Sequence, residues 1–558
     1  MTTGVIRIGN ASGFYGDRFS AVREMLTGGA LDVLTGDYLA ELTMLILGRD
    51  RMKDPTRGYA RTFLRQLEEG LGLARDKRVK IVTNAGGLNP AGLAAAIREL
   101  ADRVGVPVGV SHVEGDDLLG KGFEGALTAN AYLGCWGIVE CLNAGADIVV
   151  TGRVTDASLV AGPAAAHHGW DRSDFDALAG ATVAGHVIEC GAQATGGNFA
   201  FFTDVPDLAH PGFPIAEIDA TGGAVITKHP GTGGAVTVDT VKAQLLYEIG
   251  GARYLGPDVT SRFDTIELAD AGPDRVAITG TRGEAPPDTV KVCVNTLDGF
   301  RNSMTFVLCG LDIDDKAALA RRQLTDAVGA EGLHWTLART DHADADTEEA
   351  ASALLHVTIK TPDPKRAKAF SRASVELALA SYPGFTLTSP PGDGTPVGVY
   401  RPEYVPQQAI EQVAVLPDGE RRPIDPPAAT ATPHGEVHHD EPAYVAAGAA
   451  RRLPLGTLAG ARSGDKGGDA NLGVWVRDPA AYPWLASELT TDRLRELLPE
   501  TKDLDIERHP LPNLHAINFV LHGLLGQGVA ASTRFDPQAK SLGEWLRSRL
   551  VDIPEALL

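Results

Sequence analysis

The first third of the sequence repeats one pattern, and this repetition constrains the fold more than any other feature. A short apolar run is followed by a turn rich in Gly, Asn or Asp, and then by an amphipathic stretch of helical length, which is typical of βαβ units. The apolar runs do not alternate with polar residues, as expected for strands buried on both faces of a parallel sheet. The predicted strands are Val5–Gly9, Leu31–Thr35, Val79–Thr83, Val106–Val110 and Asp147–Thr151, and the predicted helices are Ala60–Lys77, Pro90–Val104 and Ala129–Ala144. We therefore expect a doubly wound, mostly parallel α/β sheet over about residues 1–200.

After about residue 200 the pattern changes to shorter, scattered strands with one charged helix near Asp315–Val328. This change predicts an α+β half over about residues 201–416, so that 1–416 forms one large domain. Pro417–Pro442 is rich in Pro, Ala and Thr without apolar periodicity, which indicates a linker, and we place that linker at 417–450. Residues 451–558 alternate predicted strands and helices and are expected to form a small α+β domain.

The charge balance excludes several function classes. With 51 basic and 72 acidic residues, the chain has a formal net charge of −21, which disfavours binding to nucleic acid or to an anionic membrane. The uncharged run His509–Thr533 contains two Pro, three His and two Asn, so it does not resemble a membrane span. The first residues lack the pattern of a secretory signal, and we expect a cytoplasmic protein.

The cysteines argue against two further classes of site. The five residues form no Cys-x-x-Cys pair and are odd in number, so neither a disulfide framework nor a thiolate zinc site is predicted.

Polar, glycine-rich loops follow the predicted strands, and in open α/β sheets ligands bind outside the carboxyl ends of the strands. These loops span 9–18, 35–38, 83–90, 111–117 and 151–158, and we expect them to form a single cleft. The first and third loops either cradle phosphate or carboxylate or simply make tight turns, and neither matches the G-x-G-x-x-G or P-loop fingerprints. The candidate ligand-binding residues of the first three loops are Asn10, Ser12, Gly13, Asp37, Asn84, Gly86 and Gly87.

The fourth and fifth loops carry the candidate catalytic groups. His112, Glu114, Asp116 and Asp117 place one imidazole and three carboxylates at one strand end, which is suited either to acid/base chemistry or to divalent-cation binding. The alternative is a helix N-cap by one of the aspartates.

Arg153 and Asp156 follow the last predicted parallel strand. Arg153 is interpreted as a clamp for a carboxylate or another anionic group, because helix capping explains an Asp at this point but not an Arg.

Three further segments contribute candidates. In a helix, His186 and Cys190 would share one face, and so would Glu189 and Gln193. The first pair is either a base and nucleophile or a packed histidine beside a small buried thiol. Lys228 lies in a weak anion-loop candidate.

The third segment lies near the end of the chain. Asp465 and Lys466 belong to the charged stretch Arg462–Asn471 between two predicted strands, which is either a solvated turn or a lid over the cleft.

Several segments together resemble the acyclic terpene utilisation (AtuA-type) family. They are TNAGGLNP (83–90), the run 130–159, HVIECGAQATGG (186–197), the run 229–250, RSGDKGGDANLGV (462–474) and NFVLHGLLGQGV (518–529). The resemblance covers almost the whole chain and implies an N-terminal AtuA domain followed by an AtuA-like domain of ferredoxin fold. It also implies a role in pathways that degrade citronellol- and geraniol-type compounds as branched acyl-CoA thioesters. It assigns no catalytic residues, so the candidates above rest on loop position alone.

Three functions follow as hypotheses. The first is an enzyme acting on a branched acyl-CoA by hydratase, lyase or isomerase chemistry, with Glu114, Asp117, Arg153 and Asp156 as catalytic residues. The second is a non-catalytic partner subunit of an acyl-CoA carboxylase or hydratase complex, and the third is a metal- or Cys-dependent hydrolase. For the first we expect CoA as part of the substrate, no separate cofactor, no metal ion, acyl-CoA pathway enzymes as partners and a homo-oligomer.

Overall fold

A computed structural model describes residues 4–432, 437, 439, 441–445 and 448–558 of the chain. These residues form two compact units. The first unit comprises the described residues up to Asn295, together with those of Tyr400–Val529 and Asp536–Leu558. The second comprises Thr296–Val399 and Ala530–Phe535. The α+β half expected over 201–416 is thus divided between the two units.

Strands and helices alternate along the first part of the chain, as the repeating pattern predicts. The elements are β1 (Ile6–Asn10), α1 (Ala21–Gly28), β2 (Val33–Gly36), α2 (Glu41–Lys53), α3 (Arg61–Lys77), β3 (Lys80–Thr83), α4 (Pro90–Val104), β4 (Val110–Glu114), β5 (Thr128–Ala131), α5 (Trp136–Asn143), β6 (Ile148–Thr151), α6 (Ser158–His168), α7 (Phe175–Ile188), β7 (Pro214–Ile218), β8 (Ala224–Lys228) and α8 (Val238–Leu245). Local sequence signals set α4 directly, because Pro90 occupies its first turn and the Asn89 side chain accepts a hydrogen bond from the Gly92 amide at 2.9 Å.

Shorter strands dominate the middle of the chain. The elements are β9 (Arg253–Leu255), β10 (Thr260–Arg262), β11 (Glu267–Asp270), β12 (Val276–Thr279), β13 (Arg282–Glu284), β14 (Thr289–Cys309), α9 (Ile313–Val328), β15 (Leu333–Ala338), β16 (Ser352–Thr361), α10 (Pro364–Glu376), β17 (Thr386–Leu387), β18 (Thr395–Pro406), β19 (Gln412–Val415) and β20 (Arg421–Ile424). In the second unit, α10 packs on α9 and on β16, and Leu324 of α9 and Phe370 of α10 share a core with Phe306 of β14.

The last part of the chain contains β21 (Ala450–Pro454), β22 (Ala459–Lys466), β23 (Asp469–Val476), α11 (Tyr482–Glu488), α12 (Thr491–Leu497), β24 (Ile506–Leu511), β25 (Ala516–Leu521), α13 (Leu542–Ser548) and β26 (Leu550–Pro554). An antiparallel sheet in the order β22-β23-β25-β24 packs its apolar face against a core that includes Trp484, Leu494 and Leu546. This arrangement is the small α+β domain predicted from the sequence.

The large sheet of the first unit has eleven strands in the order β11-β12-β8-β7-β1-β2-β3-β6-β4-β19-β20. Its central strands β1, β2, β3, β6 and β4 are parallel, in agreement with their unbroken apolar sequences. The flanking strands are antiparallel, since β7–β8, β11–β12 and β19–β20 are joined as hairpins. The sheet is therefore mixed, with its parallel part at the centre.

Two predicted elements are wrong in their placement. The run Val106–Val110 is not a strand; β4 begins at Val110, which pairs with Ile148, whereas the Val106 amide closes α4 by donating to the carbonyl of Ala101 at 2.9 Å. Pro107 and Gly109 interrupt the apolar run, which explains why it does not pair. Residues 129–131, which the sequence predicts as the start of a helix, pair instead within β5 with β14, so tertiary pairing overrides their helical spacing.

The segment predicted as a linker is partly ordered into the large sheet. Its residues Arg421–Ile424 form β20 and pair with β19. Residues 433–436, 438, 440, 446 and 447 of the same segment lie outside the described part of the chain. Across the described residues, no helix combines the length and apolar character needed to cross a bilayer.

Candidate functional site

Two buried asparagines tie together the loops that follow β1, β2 and β3. The Asn10 side chain donates to the carbonyl oxygens of Ile188 and Glu189, at 2.7 and 2.9 Å. The Asn84 side chain donates to Asp37 at 2.6 Å and accepts from the Tyr38 amide at 2.7 Å. The Asp37 amide also donates to the Ser12 carbonyl at 3.0 Å, so the first three loops meet at one edge of the sheet, and the end of α7 joins them.

The glycines of these loops permit close packing of the backbone. A Cβ on Gly13 would lie 2.6 Å from the carbonyl carbon of Cys190, and one on Gly86 would lie 2.4 Å from the Thr151 oxygen. Gly87 has a φ of +54°, a conformation that favours glycine. The Gly13 and Gly87 amides donate to Asp17 and to the Asn84 carbonyl, at 2.8 and 3.0 Å, and the Ser12 hydroxyl donates to the Phe14 carbonyl at 2.9 Å. In this structure these loop groups bind protein acceptors.

Arg153 is a buried cation at the centre of the site. Its side chain is 3% exposed, and its Nη2 donates to Asp156 Oδ1 at 2.7 Å. The guanidinium carbon lies 4.3 Å from the centre of the Tyr132 ring. Nε and Nη1 are buried and have no hydrogen-bond partner among the residues that the structure describes. Two edges of this guanidinium are therefore available to an anionic ligand.

Asp116 holds the backbone of Arg153 in place. Its Oδ2 accepts hydrogen bonds from the Arg153 amide and from the Asn130 side chain, both at 2.8 Å. Burial raises the pKa of Asp116 to about 7. This carboxyl, considered in the sequence as part of an acidic group, thus supports the loop that carries Arg153.

Glu41, Tyr132 and Lys291 surround the other side of the guanidinium. Tyr132 donates its hydroxyl to Glu41 at 2.8 Å, and Lys291 Nζ lies 3.4 Å from the same oxygen. Burial opposes ionisation of Glu41, but Lys291 and Arg153 outweigh it and lower the pKa of Glu41 to about 2. Glu41 is therefore a permanent negative charge between two cations.

Three carboxyls near Arg153 bind protons more tightly than usual. Burial, together with the negative charge of Asp156, raises the pKa of Asp37 and of Glu189 well above their ordinary values. Burial raises the pKa of Asp156 to about 6; Arg153 opposes this shift, and Glu41 adds to it. Asp156 thus changes its protonation state close to neutral pH.

His186 and Cys190 lie at the end of α7 beside this group. His186 Nδ1 is 3.2 Å from Glu189 Oε1, and its ring packs against Tyr254 and Phe263. Burial lowers the pKa of His186 to about 4. Burial also raises the pKa of the Cys190 thiol well above its ordinary value, and Glu248 adds to the effect. A neutral imidazole beside a protonated thiol is not an activated nucleophile.

The β22–β23 hairpin of the C-terminal domain reaches the same site. Burial raises the pKa of Asp465 to about 7, and the charges of Glu248 and Glu41 add to this shift. Loss of hydration and the nearby charge of Lys291 lower the pKa of Lys466 to about 8, although the side chain as a whole remains solvent-exposed. We call Asp37, Glu41, Arg153, Asp156, Glu189, Glu248, Lys291, Asp465 and Lys466 the charged cluster. The sequence leaves Asp465 and Lys466 either in a solvated turn or in a lid; in the structure Lys466 Nζ donates to the Glu248 carbonyl at 3.4 Å, beside the charged cluster.

Buried asparagines also attach the C-terminal domain to this region. The Asn471 side chain accepts a hydrogen bond from the Glu248 amide at 2.7 Å and bonds to Asn518, which donates to the carbonyls of Ile249 and Gly250. Glu248 has a φ of +57°, so this docking holds a strained residue in the cluster.

Arg462 and Lys540 form a second group of cations on the same side. The Arg462 guanidinium lies 4.1 Å from the centre of the Tyr247 ring, and its Nη2 donates to the side-chain oxygen of Gln193. Lys540 Nζ contacts the Tyr247 hydroxyl. The charge of Lys540 partly opposes the rise in the pKa of Asp465, which connects this group to the charged cluster.

Four candidates from the sequence lie in other contacts. His112 and Glu114 bond to each other at 2.9 Å, and Arg421 of β20 donates to Glu114 at 2.7 Å. Asp117 forms an ion pair with Arg51 at 3.0 Å.

Lys228 pairs with Asp274 and donates to the Thr232 carbonyl. None of these described contacts involves a member of the charged cluster.

Sequence reasoning missed Glu41, Lys291, Glu248, Arg462 and Lys540 as site residues. Glu41 could have been found from the sequence, because it is the first residue of the helix that follows a polar loop at a strand end. Arg462 is the first residue of the charged stretch Arg462–Asn471, from which the sequence selects only Asp465 and Lys466 as candidates. Lys291, Glu248 and Lys540 carry no local motif and are brought in by tertiary contacts alone.

The arrangement is suited to proton transfer around neutral pH. Two carboxyls with pKa values of about 6 and 7 face cations that could bind a developing negative charge. Among the described residues, no group of three or more His, Cys, Asp or Glu side chains is arranged to hold a metal ion.

Comparisons with known proteins agree with this organisation. Residues 6–416 match the family model described as acyclic terpene utilisation family protein AtuA, and residues 453–552 match the AtuA ferredoxin-like domain. Neither the curated proteins nor the solved structures gave a match.

Proposed function

Since the chain belongs to the acyclic terpene utilisation (AtuA) family, we propose that it is a catabolic enzyme that acts on a branched acyl-CoA thioester in the degradation of acyclic terpenes or related compounds. The observation that carries the proposal is the pairing of a carboxyl of near-neutral pKa, Asp156, with Arg153, whose Nε and Nη1 are buried and have no partner among the described residues. CoA is part of the substrate in this proposal, and no separate cofactor or metal ion is invoked.

The chemistry is acid/base catalysis at the carbons next to the thioester. Asp156, as carboxylate, removes the proton from the α-carbon, and the Arg153 guanidinium donates to the enolate oxygen that forms. In an elimination, the electron pair then forms the double bond between the α- and β-carbons while the bond from the β-carbon to its hydroxyl breaks. Asp465, as carboxylic acid, gives its proton to the departing hydroxyl, which leaves as water. Hydration is the reverse of these steps.

The near-neutral pKa values of the two carboxyls support these roles. Burial raises the pKa of Asp156 to about 6 and that of Asp465 to about 7, so both carboxyls can exchange a proton near neutral pH, as a base and an acid require. Glu41 keeps a fixed negative charge beside Arg153 and Lys291, which holds both cations in place without taking up a proton. Glu114 and Asp117, considered as catalytic residues from the sequence, have no part in this mechanism.

The hydrolase hypothesis has no comparable support, because burial raises the pKa of the Cys190 thiol. The partner-subunit hypothesis stays as an outcome of the experiment below. The proposal also retains a cytoplasmic homo-oligomer with acyl-CoA pathway enzymes as partners.

The test is turnover of branched acyl-CoA substrates by the purified full chain and by Arg153→Gln. We expect the variant to lose turnover by about 10²–10³-fold, the usual cost of removing a donor to an oxyanion. Arg282→Gln is the matched control, because Arg282 is an exposed arginine with one ion pair, to Asp176. Full turnover by Arg153→Gln would rule out its role. Turnover that appears only after an acyl-CoA carboxylase or hydratase is added would favour the partner-subunit hypothesis.

A further inference from the structure

The site contains a second cationic group that the proposed acid/base steps do not use. Arg462 is only 5% exposed, yet its Nε is buried without a hydrogen-bond partner among the described residues. Its guanidinium stacks on Tyr247, and Lys540 contacts the hydroxyl of the same ring. A buried charged donor without a partner is costly, so a ligand group that accepts from it would be strongly favoured.

The surroundings hold this guanidinium in one orientation. Gln193 accepts from its Nη2 on one side, and Tyr247 covers one face of its plane. Gly464, two residues after Arg462, allows the Tyr247 ring to lie close to the β22 backbone, since a Cβ on Gly464 would lie 2.4 Å from that ring. The remaining edge, at Nε, is planar and small, which suits a carboxylate.

The two cationic groups face one cluster from different domains. Arg153 and Lys291 come from the N-terminal part of the chain, whereas Arg462 and Lys540 come from the C-terminal domain. Asp465 interacts electrostatically both with Glu41, which contacts Lys291, and with Lys540. Both cationic groups therefore border the charged cluster.

Five cations gather in this region, namely the four of the two groups and Lys466. Burial raises the pKa of Asp37 and of Glu189 and so reduces their negative charge, which leaves Glu41, Asp156, Glu248 and Asp465 as the carboxyls that balance the cations. The basic side chains thus exceed by one the carboxyls that remain to neutralise them, which favours an anionic ligand.

We propose that Arg462 and Lys540 form a second anion-binding subsite, and that the substrate is an acyl thioester whose acyl group carries a free carboxylate at its far end. The thioester oxygen lies at Arg153 and the carboxylate at Arg462 and Lys540, so that the C-terminal domain selects the substrate. This inference rests on the proposed function, because it assigns the orientation of the same ligand.

The test compares two thioesters that differ only at the far end. In 3-methylglutaryl-CoA the chain ends in a carboxylate, and in 3-methylvaleryl-CoA it ends in a methyl group. We expect the full chain to bind the first at least about tenfold more tightly, as measured by isothermal titration. Arg462→Gln and Lys540→Met should each reduce this preference, while Arg282→Gln should keep it. Two variants are used because Arg462 lies at the domain contact, and the melting temperature of each shows whether it folds.

The outcomes separate this inference from the proposed function. Equal binding of both thioesters by the wild-type chain would overturn the subsite and leave the acyl-CoA proposal intact. A preference that folded Lys540→Met and Arg462→Gln both retain would also overturn the subsite. Binding of neither thioester would overturn both proposals.

Discussion

The side-chain oxygen of Asn471 accepts a hydrogen bond from the backbone amide of Glu248 at 2.7 Å, across 223 positions of sequence. This bond joins the C-terminal domain to the segment that carries one carboxylate of the charged cluster. Asn471 is fully buried and also bonds to Asn518, which reaches the carbonyl of Gly250. The small C-terminal domain is thus part of the site's structure and supplies Asp465 to it.

Replacing Asn471 with Ala should reduce the free energy of unfolding by about 1–3 kcal/mol, because the Glu248 amide and Asn518 would lose a buried partner. Urea unfolding followed by circular dichroism measures this change. Asn143→Ala is the control, since Asn143 is exposed at the end of α5, and it should alter stability by less than about 0.5 kcal/mol. Equal stability of both variants would show that the domain contact does not depend on this bond.

The rate of the proposed reaction should follow a bell-shaped pH profile. It should rise as Asp156 ionises near pH 6 and fall as Asp465 loses its proton near pH 7, because the base must be charged and the acid must be neutral. The measurement is kcat/KM of a branched acyl-CoA between pH 5 and 9.

Two variants show which carboxyl causes each limb of the pH profile. Asp156→Asn should abolish most activity, and the residual rate should no longer fall on the acid side. Asp465→Asn should remove the alkaline limb. A wild-type profile that is flat from pH 5 to 9 would contradict both roles.

His186 should make the protein less stable as the pH falls. The imidazole of the unfolded chain has a pKa of about 6.5, whereas burial lowers the pKa in the folded chain to about 4, so the unfolded chain takes up a proton first. The stabilisation is complete above pH 6.5 and is lost progressively toward pH 4. Between pH 8 and pH 5 the wild type should lose about 2 kcal/mol more unfolding free energy than His186→Gln.

The control for this prediction is His210→Gln, because the side chain of His210 is 82% exposed. Its pH dependence should match that of the wild type. If His186→Gln also matches the wild type, the imidazole does not stay neutral in the folded chain.

Gly13 should be intolerant of a side chain. In Gly13→Ala the new Cβ would lie 2.6 Å from the Cys190 carbonyl carbon, which is backbone and cannot rotate away. We expect a loss of about 1–3 kcal/mol in unfolding free energy and a displaced α7 end. Gly72→Ala is the contrasting change, since Gly72 lies within α3 with open space around it and should gain up to about 1 kcal/mol. Thermal unfolding of the two variants checks the opposite signs.

Local sequence determined much of the framework. Unbroken apolar runs placed four of the five central strands to within two residues, and the apolar spacing that begins at Pro90 placed α4 at its true bounds. Strand-end position alone selected Asp37, Arg153 and Asp156, because the carboxyl ends of parallel strands converge whatever follows them. The family resemblance likewise rested on residues that can be read along the chain.

Tertiary structure decided the rest. The flanking antiparallel strands and β5 form through pairing with distant segments, so their local sequence does not reveal them. Glu114 and Asp117 stand at a strand end as predicted, yet Arg421 and Arg51 bind them away from the cluster. Lys291, Glu248 and Lys540 join the site from three separate segments of the chain. The pKa values of Asp156 and Asp465 depend on burial and on neighbouring charges. Burial and the distances between charges are properties of the folded chain, so the sequence by itself does not give these pKa values.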